Sequence, residues 1–236
     1  MAARFFPVKS LGTSIVGLLL SASAAHSAPA PAAPRVPANP GTEHVLFQAN
    51  FQEYSPYWRQ VRGQWGVVKG QLLQTRDDAR ELNTVMFYDP LIIADADITA
   101  DAMMLTELPR FQTADDADLL RTKRMIAGAG IAFRYQDENN FYLFRLAGED
   151  GVVLGKVVDG TWYELANPRA ADFAGMRLRT DVAYRLRVRV VGNRIQCWIG
   201  DKAVANLEDG SLTTGHVGLT TFRSRAVFNS LKVVEK

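Results

Sequence analysis

The stretch that decides the fold class is residues 130–146, GIAFRYQDENNFYLFRL. Apolar and polar side chains alternate with a period of two on both sides of the polar run 137–140, and this alternation is typical of β-strands. A turn over 137–140 places Tyr135 opposite Tyr142 on the next strand. The segment is therefore predicted to be a β-hairpin with one face in a core and one face outside it.

Alternation assigns each side chain of this hairpin to one of two faces. The face predicted to be buried is apolar or aromatic and consists of Ile131, Phe133, Tyr135, Tyr142, Phe144 and Leu146. The opposite face is predicted to be polar with some apolar surface and consists of Ala132, Arg134, Gln136, Phe141, Leu143 and Arg145.

A second hairpin is predicted around Gly192-Asn193, a strong two-residue turn signal. This turn places Val188 opposite Cys197, and it places Arg187 opposite Trp198, where a cation–π contact is expected. The side chains predicted to face inward are Leu186, Val188, Val190, Ile195, Cys197 and Ile199. The side chains predicted to face outward are Arg185, Arg187, Arg189, Gln196 and Trp198. We expect a buried, unreactive thiol at Cys197, with an intermolecular disulfide as the alternative.

Most of the remaining sequence has the same character. Short β-rich segments alternate with turn signals such as Lys69-Gly70, Asp159-Gly160 and Gly200-Asp201, and no long segment has a helical period. This pattern predicts an all-β sandwich or barrel. Residues 106–124 interrupt it with a proline and many charges, which is compatible with either a functional loop or an exposed insertion.

Composition excludes several classes of protein. The 236 residues are 47% hydrophobic and 22% charged, which is typical of a globular chain. The 27 basic residues exceed the 25 acidic ones by two, and Arg4 and Lys9 account for that excess. Without a basic excess in the remainder, nucleic acid is not an expected partner. The single cysteine excludes an intramolecular disulfide and a cysteine-based zinc site.

The N-terminus predicts export. Residues 1–27 combine a basic start, an apolar stretch and a small-residue cleavage pattern, as in a secretory signal peptide. Residues 28–43 form a Pro/Ala-rich spacer, and residues 44–236 are predicted to be one folded domain. After cleavage the protein is expected to be secreted or periplasmic, without stable membrane insertion. The oligomeric state is left open.

Several motifs resemble the secreted concanavalin A-like jelly-roll domains, including laminin-G-like and 3-keto-disaccharide hydrolase-type domains. They are the opening segment 58–72, WRQVRGQWGVVKGQL, the hairpin segment 130–142, GIAFRYQDENNFY, and the closing segments 184–195, YRLRVRVVGNRI, 215–219, GHVGL, and 228–233, FNSLKV. The resemblance covers about Leu46 to Val234. It implies a jelly-roll sandwich of two antiparallel sheets and, less specifically, a function directed at carbohydrate, because this fold hosts many activities.

Catalytic and metal motifs are missing. The Glu-x-Asp-x-x-Glu strand that marks retaining glucanases of this fold does not occur in the sequence. His44 and His216 lack the spacing of metal ligands, so no metal site and no cofactor is predicted. The resemblance suggests a structural Ca²⁺ near Asn50 and Asn229, but two neutral amides bind Ca²⁺ weakly. A hydrogen bond between the two amides is the expected alternative.

The leading hypothesis is a secreted or periplasmic, non-catalytic carbohydrate-binding module whose partner is a glycan or polysaccharide. The alternatives are a glycoside-processing enzyme of the 3-keto-disaccharide hydrolase type or a polysaccharide lyase, and a structural or adhesive envelope protein. No catalytic residue is assigned.

Sugars stack on flat aromatic and guanidinium groups. The residues expected to contact the glycan are Arg134, Gln136, Phe141, Arg145, Arg187 and Trp198. Pairing of these arginines with acids on neighbouring strands is the alternative, and whether the two hairpins share a sheet is open.

Overall fold

The computed structural model describes residues 43–75, 84–105, 127–173 and 177–236. In these ranges every regular element is a β-strand. The predicted signal 1–27, nearly all of the spacer 28–43 and the interrupting segment 106–124 lie outside the described residues, so those expectations stay predictions.

The described part of the chain contains fifteen strands. In chain order they are β1 (Val45–Ala49), β2 (Trp58–Gln60), β3 (Trp65–Val68), β4 (Gln71–Gln74), β5 (Thr84–Ile93), β6 (Ala96–Met104), β7 (Gly128–Asp137), β8 (Asn140–Ala147), β9 (Gly151–Val158), β10 (Thr161–Ala166), β11 (Ala183–Val191), β12 (Arg194–Ile199), β13 (Lys202–Glu208), β14 (Gly215–Phe222) and β15 (Ala226–Glu235).

The strands form two antiparallel sheets. Sheet A has the order β13-β12-β11-β6-β15-β4-β3, with β1 also paired to β15. Sheet B has the order β10-β9-β8-β7-β14-β5-β2. The prediction of an all-β sandwich with two antiparallel sheets is confirmed. The first predicted hairpin is β7–β8 in sheet B, whereas the second is β11–β12 in sheet A.

The core lies between the inner faces of the two sheets. Alternate residues of each strand supply it, because side chains of a strand point to opposite faces in turn. From the two hairpins the buried core residues are Ile131, Phe133, Tyr142, Phe144, Leu146, Leu186, Val188, Val190, Ile195, Cys197 and Ile199. The inward set predicted for β11–β12 is therefore confirmed in full.

The β11–β12 hairpin has the predicted register. Val188 lies opposite Cys197 and Arg187 opposite Trp198. Cys197 is a free, buried cysteine, and burial raises the pKa of its thiol. A neutral thiol enclosed by apolar side chains is a poor nucleophile, as expected.

Candidate functional site

A second apolar cluster covers the outer face of sheet B, on the side turned away from the core. Its buried members are Val85, Ala132, Tyr135, Phe141, Leu143, Val153 and Val157. A groove of about 590 Å³ runs over this cluster. Buried apolar residues outside the core, beneath an open groove, mark this face as the candidate binding site.

Aromatic rings form a continuous row across the groove face. The rings of Phe87 and Tyr135 stack with centroids 5.1 Å apart, and Phe141 lies 5.5 Å from Tyr135. His216 extends the row, 4.7 Å from Phe87. Burial, reinforced by the charges of Glu138 and Asp137, raises the pKa of Tyr135 to about 12, so its phenol stays protonated.

Trp162 adds an exposed ring to this face. It follows the turn Asp159-Gly160 and lies opposite Val157, which in turn pairs with Phe141. Its indole rests on Gly155, since a Cβ on that glycine would be 2.0 Å from the end of the ring. The side chain lines the groove and is 41% exposed. Because Gly155 has no side chain, the Trp162 indole packs against its backbone and presents a flat aromatic surface that a ligand can reach.

A β-bulge decides which aromatic residues reach the groove. Near the turn, Asp137 pairs with Asn140, and the register then shifts between Phe133 and Asp137. Tyr142 therefore lies opposite Phe133, and the predicted pairing of Tyr135 with Tyr142 was wrong. Arg134 has a φ of 47°, and this kink reverses the alternation for the next residue. Tyr135 was predicted to lie on the core face and Arg134 on the opposite, polar face, and both assignments were wrong.

Arg134 is an interior residue and does not reach the groove. Its guanidinium is 1% exposed and donates to the carbonyl oxygens of Ala94, Leu212 and Gly192 at 2.7–3.1 Å. Asp95 lies 3.6 Å away, and burial lowers the pKa of Arg134. The residue thus links three loops, and its N–H groups are hydrogen-bonded to backbone carbonyls rather than available to a ligand.

The other three residues of the first hairpin that were predicted to contact glycan do not all lie in the groove. Phe141 and Arg145 line the groove. Gln136 is exposed beside it and donates to the carbonyl of Thr214 at 3.0 Å. Phe141 and Arg145 therefore share the groove with Trp162 and Tyr135. Neither Trp162 nor Tyr135 was among the residues predicted from sequence to contact glycan. The turn Asp159-Gly160 carried the signal for Trp162, because it pairs that residue with Val157.

Arg145 lines the groove, and its guanidinium lies between Phe222, Leu146 and Gly128. Its guanidinium lies 4.4 Å from the centre of the Phe222 ring, and Nη1 donates to the carbonyl of Leu146 at 3.2 Å. A Cβ on Gly128 would be 2.3 Å from Nη1, so only glycine leaves room for this arrangement. Burial lowers the pKa of Arg145 to about 10, although the charge of Glu164 acts against this, and the group remains cationic at neutral pH.

Arg187 and Trp198 lie elsewhere, on the outer face of sheet A. The predicted cation–π contact exists, with the guanidinium 4.7 Å from the indole centre. Arg187 also pairs with the buried carboxylate of Asp97 on β6, and Arg185 pairs in the same way with Asp101. The six predicted residues therefore do not form one surface, and on sheet A the arginines pair with acids on a neighbouring strand.

Two carboxylates line the described groove. Glu138 pairs with Arg62 at 2.5 Å. Glu164 accepts a hydrogen bond from Asn167 at 3.3 Å. Each carboxylate thus has a partner within the groove lining.

The calcium expectation concerned Asn50 and Asn229. The Asn229 side-chain oxygen accepts a hydrogen bond from Gln71 at 2.8 Å, and that of Asn50 accepts one from the backbone of Gln52 at 3.3 Å. The hydrogen bond expected between the two asparagines is not among the described contacts. No group of three or more His, Cys, Asp or Glu side chains suited to a metal ion occurs in the described ranges.

Solved structures share this architecture. The carbohydrate-binding module CBM66 from Bacillus subtilis superposes with a TM-score of 0.58 and 19% identity, over 73% of this chain and 92% of that one. The fold is that of the concanavalin A-like lectins and glucanases. A Bacillus licheniformis β-glucanase superposes with a TM-score of 0.55 and 8% identity, over 83% and 100% of the two chains. The exoplasmic/lumenal domain of VIP36, bound to Ca²⁺ and Man3GlcNAc, gives 0.55 and 16%, over 82% and 91%.

Sequence comparison adds no closer relative. No protein-family profile and no curated protein matches the chain. Within the described residues, no helix has the length and apolar character needed to cross a membrane.

Proposed function

We propose that this protein binds a glycan in the groove on the outer face of sheet B. The observation that carries the proposal is the exposed indole of Trp162, seated on Gly155 above a floor that contains Phe141 and Tyr135. Flat, rigid aromatic surfaces of this kind stack on the apolar faces of sugar rings at low entropic cost. CBM66 and VIP36, which share the fold, are a carbohydrate-binding module and a glycan-bound domain, and this likeness supports the proposal.

Trp162→Ala tests the groove, and Trp198→Ala is its matched control on sheet A. Removing the groove indole should weaken glycan binding by roughly 1–3 kcal/mol, the range for loss of a desolvated aromatic contact. The control should bind normally. Calorimetry with a ligand selected on a glycan array measures both affinities. Normal binding by Trp162→Ala together with loss in Trp198→Ala would move the site to sheet A and refute the proposal.

Gly155→Ala provides a second test without removing the indole. The new Cβ forces the ring off its seat, so affinity should fall while Trp162 is still present. Folding should change little, because the displaced group is the end of an exposed side chain. Gly66→Ala is the control, since a Cβ there meets nothing within 4 Å.

We further propose that binding is not coupled to cleavage. Both carboxylates of the described groove lining have partners, Arg62 for Glu138 and Asn167 for Glu164, and the sequence lacks the acid pair of retaining glucanases. Prolonged incubation with the bound glycan should release no new reducing or unsaturated ends. Product formation that is lost in Glu138→Gln or Glu164→Gln would establish an enzyme instead.

Export completes the proposal, because residues 1–27 have the features of a cleavable signal. Mass spectrometry of the mature protein should find an N-terminus near Ala28, in the periplasm or the medium. A mature protein that retains Met1 would contradict export by this signal.

A further inference from the structure

Arg145 differs from four other arginines of the protein. Arg59, Arg62, Arg185 and Arg187 each lie within 4 Å of a carboxylate. Arg145 has no such partner among the described residues, although it is 9% exposed and therefore largely removed from water. Its Nε is buried and lacks a hydrogen-bond acceptor. A buried guanidinium in this state is costly unless something else supplies the missing acceptor.

A second arginine, Arg223, adds to the positive charge at this end of the groove. Arg223 lies 5.2 Å from the centre of the same Phe222 ring that Arg145 covers. Its Nε is also buried without an acceptor in the described part of the chain. The acid whose charge acts on Arg145 is Glu164, which forms no ion pair with it. Two guanidinium groups with unused donors therefore flank one ring at the groove.

Gly128, Phe222 and Leu146 surround the Arg145 guanidinium. Gly128 leaves the space beneath the guanidinium, and Phe222 covers one of its faces. Nη1 donates to the carbonyl of Leu146, whereas the buried Nε has no acceptor among the described residues, so an unused donor lies on the Nε–Nη2 edge. Arg187 uses the same edge to donate hydrogen bonds to both carboxylate oxygens of Asp97. A planar carboxylate matches this fork.

We propose that the Arg145 end of the groove binds the carboxylate of an acidic sugar, so that the ligand is a uronate-containing glycan. The Trp162 indole rests on Gly155, which pairs with Leu143, two positions before Arg145 on β8 and about 7 Å from it at the rise of a β-strand. A ligand with a sugar ring on Trp162 can therefore reach Arg145 with a carboxylate. Because Nε is covered, the guanidinium has to turn within its seat as the carboxylate arrives. The inference rests on the proposed function.

The test compares uronate oligosaccharides with their methyl esters, which keep the sugar rings and remove the charge. The panel covers galacturonate, glucuronate and mannuronate/guluronate chains, a neutral glucan, and dextran sulfate as a sulfated ligand without carboxylates. At least one free acid should bind the wild type about tenfold or more tightly than its ester, the factor expected from a charge-assisted bidentate contact. In Arg145→Gln that ratio should fall to about one. Arg145→Lys keeps the charge without the fork and should retain only part of the preference.

Thermal unfolding of each variant checks that Arg145→Gln is folded, and Arg185→Gln on sheet A is the matched control. The ester comparison on wild-type protein decides the question even if Arg145→Gln is unstable. Equal binding of acid and ester, a preference that survives Arg145→Gln, or binding of neutral or sulfated glycans alone would overturn the inference. In those cases Trp162-dependent binding still supports the proposed function. Absence of any glycan binding would overturn both.

Discussion

The hairpins β7–β8 and β11–β12 look alike in sequence, since each combines alternating apolar residues with arginines on the face predicted to point away from the core. In β11–β12 simple alternation holds along the whole hairpin, and Arg185 and Arg187 pair with acids on β6. In β7–β8 a bulge at Arg134 breaks the alternation. One of its arginines joins loops in the interior, and the other lies at the groove with no carboxylate partner among the described residues. Arginine spacing on a strand therefore does not reveal the role of an arginine, because that depends on the neighbours that tertiary structure supplies.

The largest effect is expected at the bulge. Arg134→Met should lower the free energy of unfolding by about 3–5 kcal/mol, because it leaves the carbonyls of Ala94, Leu212 and Gly192 without their donors in the interior. Urea denaturation measures this loss. A change below about 1 kcal/mol would mean that water replaces the guanidinium, and the contrast with the sheet A arginines would disappear.

A smaller effect is expected at Asp209, which anchors the β7–β8 hairpin through Tyr142. Burial by itself would raise the pKa of Asp209, but hydrogen bonds from Lys156, Tyr142 and Ser211 lower it to about 2. A lowered pKa gives stability that is present above the unfolded value of about 4 and is lost as pH falls through the folded value.

Between pH 5 and pH 2, wild type should lose about 2 kcal/mol from this carboxylate that Asp209→Asn does not lose. Chemical denaturation at a series of pH values measures the difference between the two curves. Asp201→Asn, in an exposed turn, is the control and should follow wild type. Parallel curves for wild type and Asp209→Asn would show that the hydrogen bonds do not favour the charged form.

The smallest effects are expected on sheet A. Arg187→Met leaves the buried carboxylate of Asp97 with Lys236 at 4.0 Å and should cost about 1–2 kcal/mol. Arg185→Met breaks a pair whose arginine side chain is 65% exposed and should cost less than about 1 kcal/mol. Thermal unfolding compares the two. A cost for Arg185→Met equal to that for Arg134→Met would remove the distinction between the hairpins.

Much of the fold could be predicted from local patterns. The Gly192-Asn193 turn was sufficient to place Val188, Cys197 and Trp198 correctly, because a two-residue turn determines the register of both its strands. The site was predicted less well. Phe141 and Arg145 line the groove as parts of the expected mixed face, whereas Trp162 was missed because the hairpin at Asp159-Gly160 was not registered.

The sequence by itself determined the all-β class, the two hairpins and the buried cysteine, since these depend on alternation and turn chemistry within short stretches. Tertiary structure decided which arginines are paired and which aromatic residues reach the groove. The bulge at Arg134 lies against Gly215, where a Cβ would be 2.4 Å from the Arg134 carbonyl carbon, so a residue about eighty positions away makes room for it. Contacts between strands far apart in the chain leave no periodic trace in either strand. Only the folded sheet shows that Tyr135 points to the groove and that the buried Nε of Arg145 has no acceptor among the described residues.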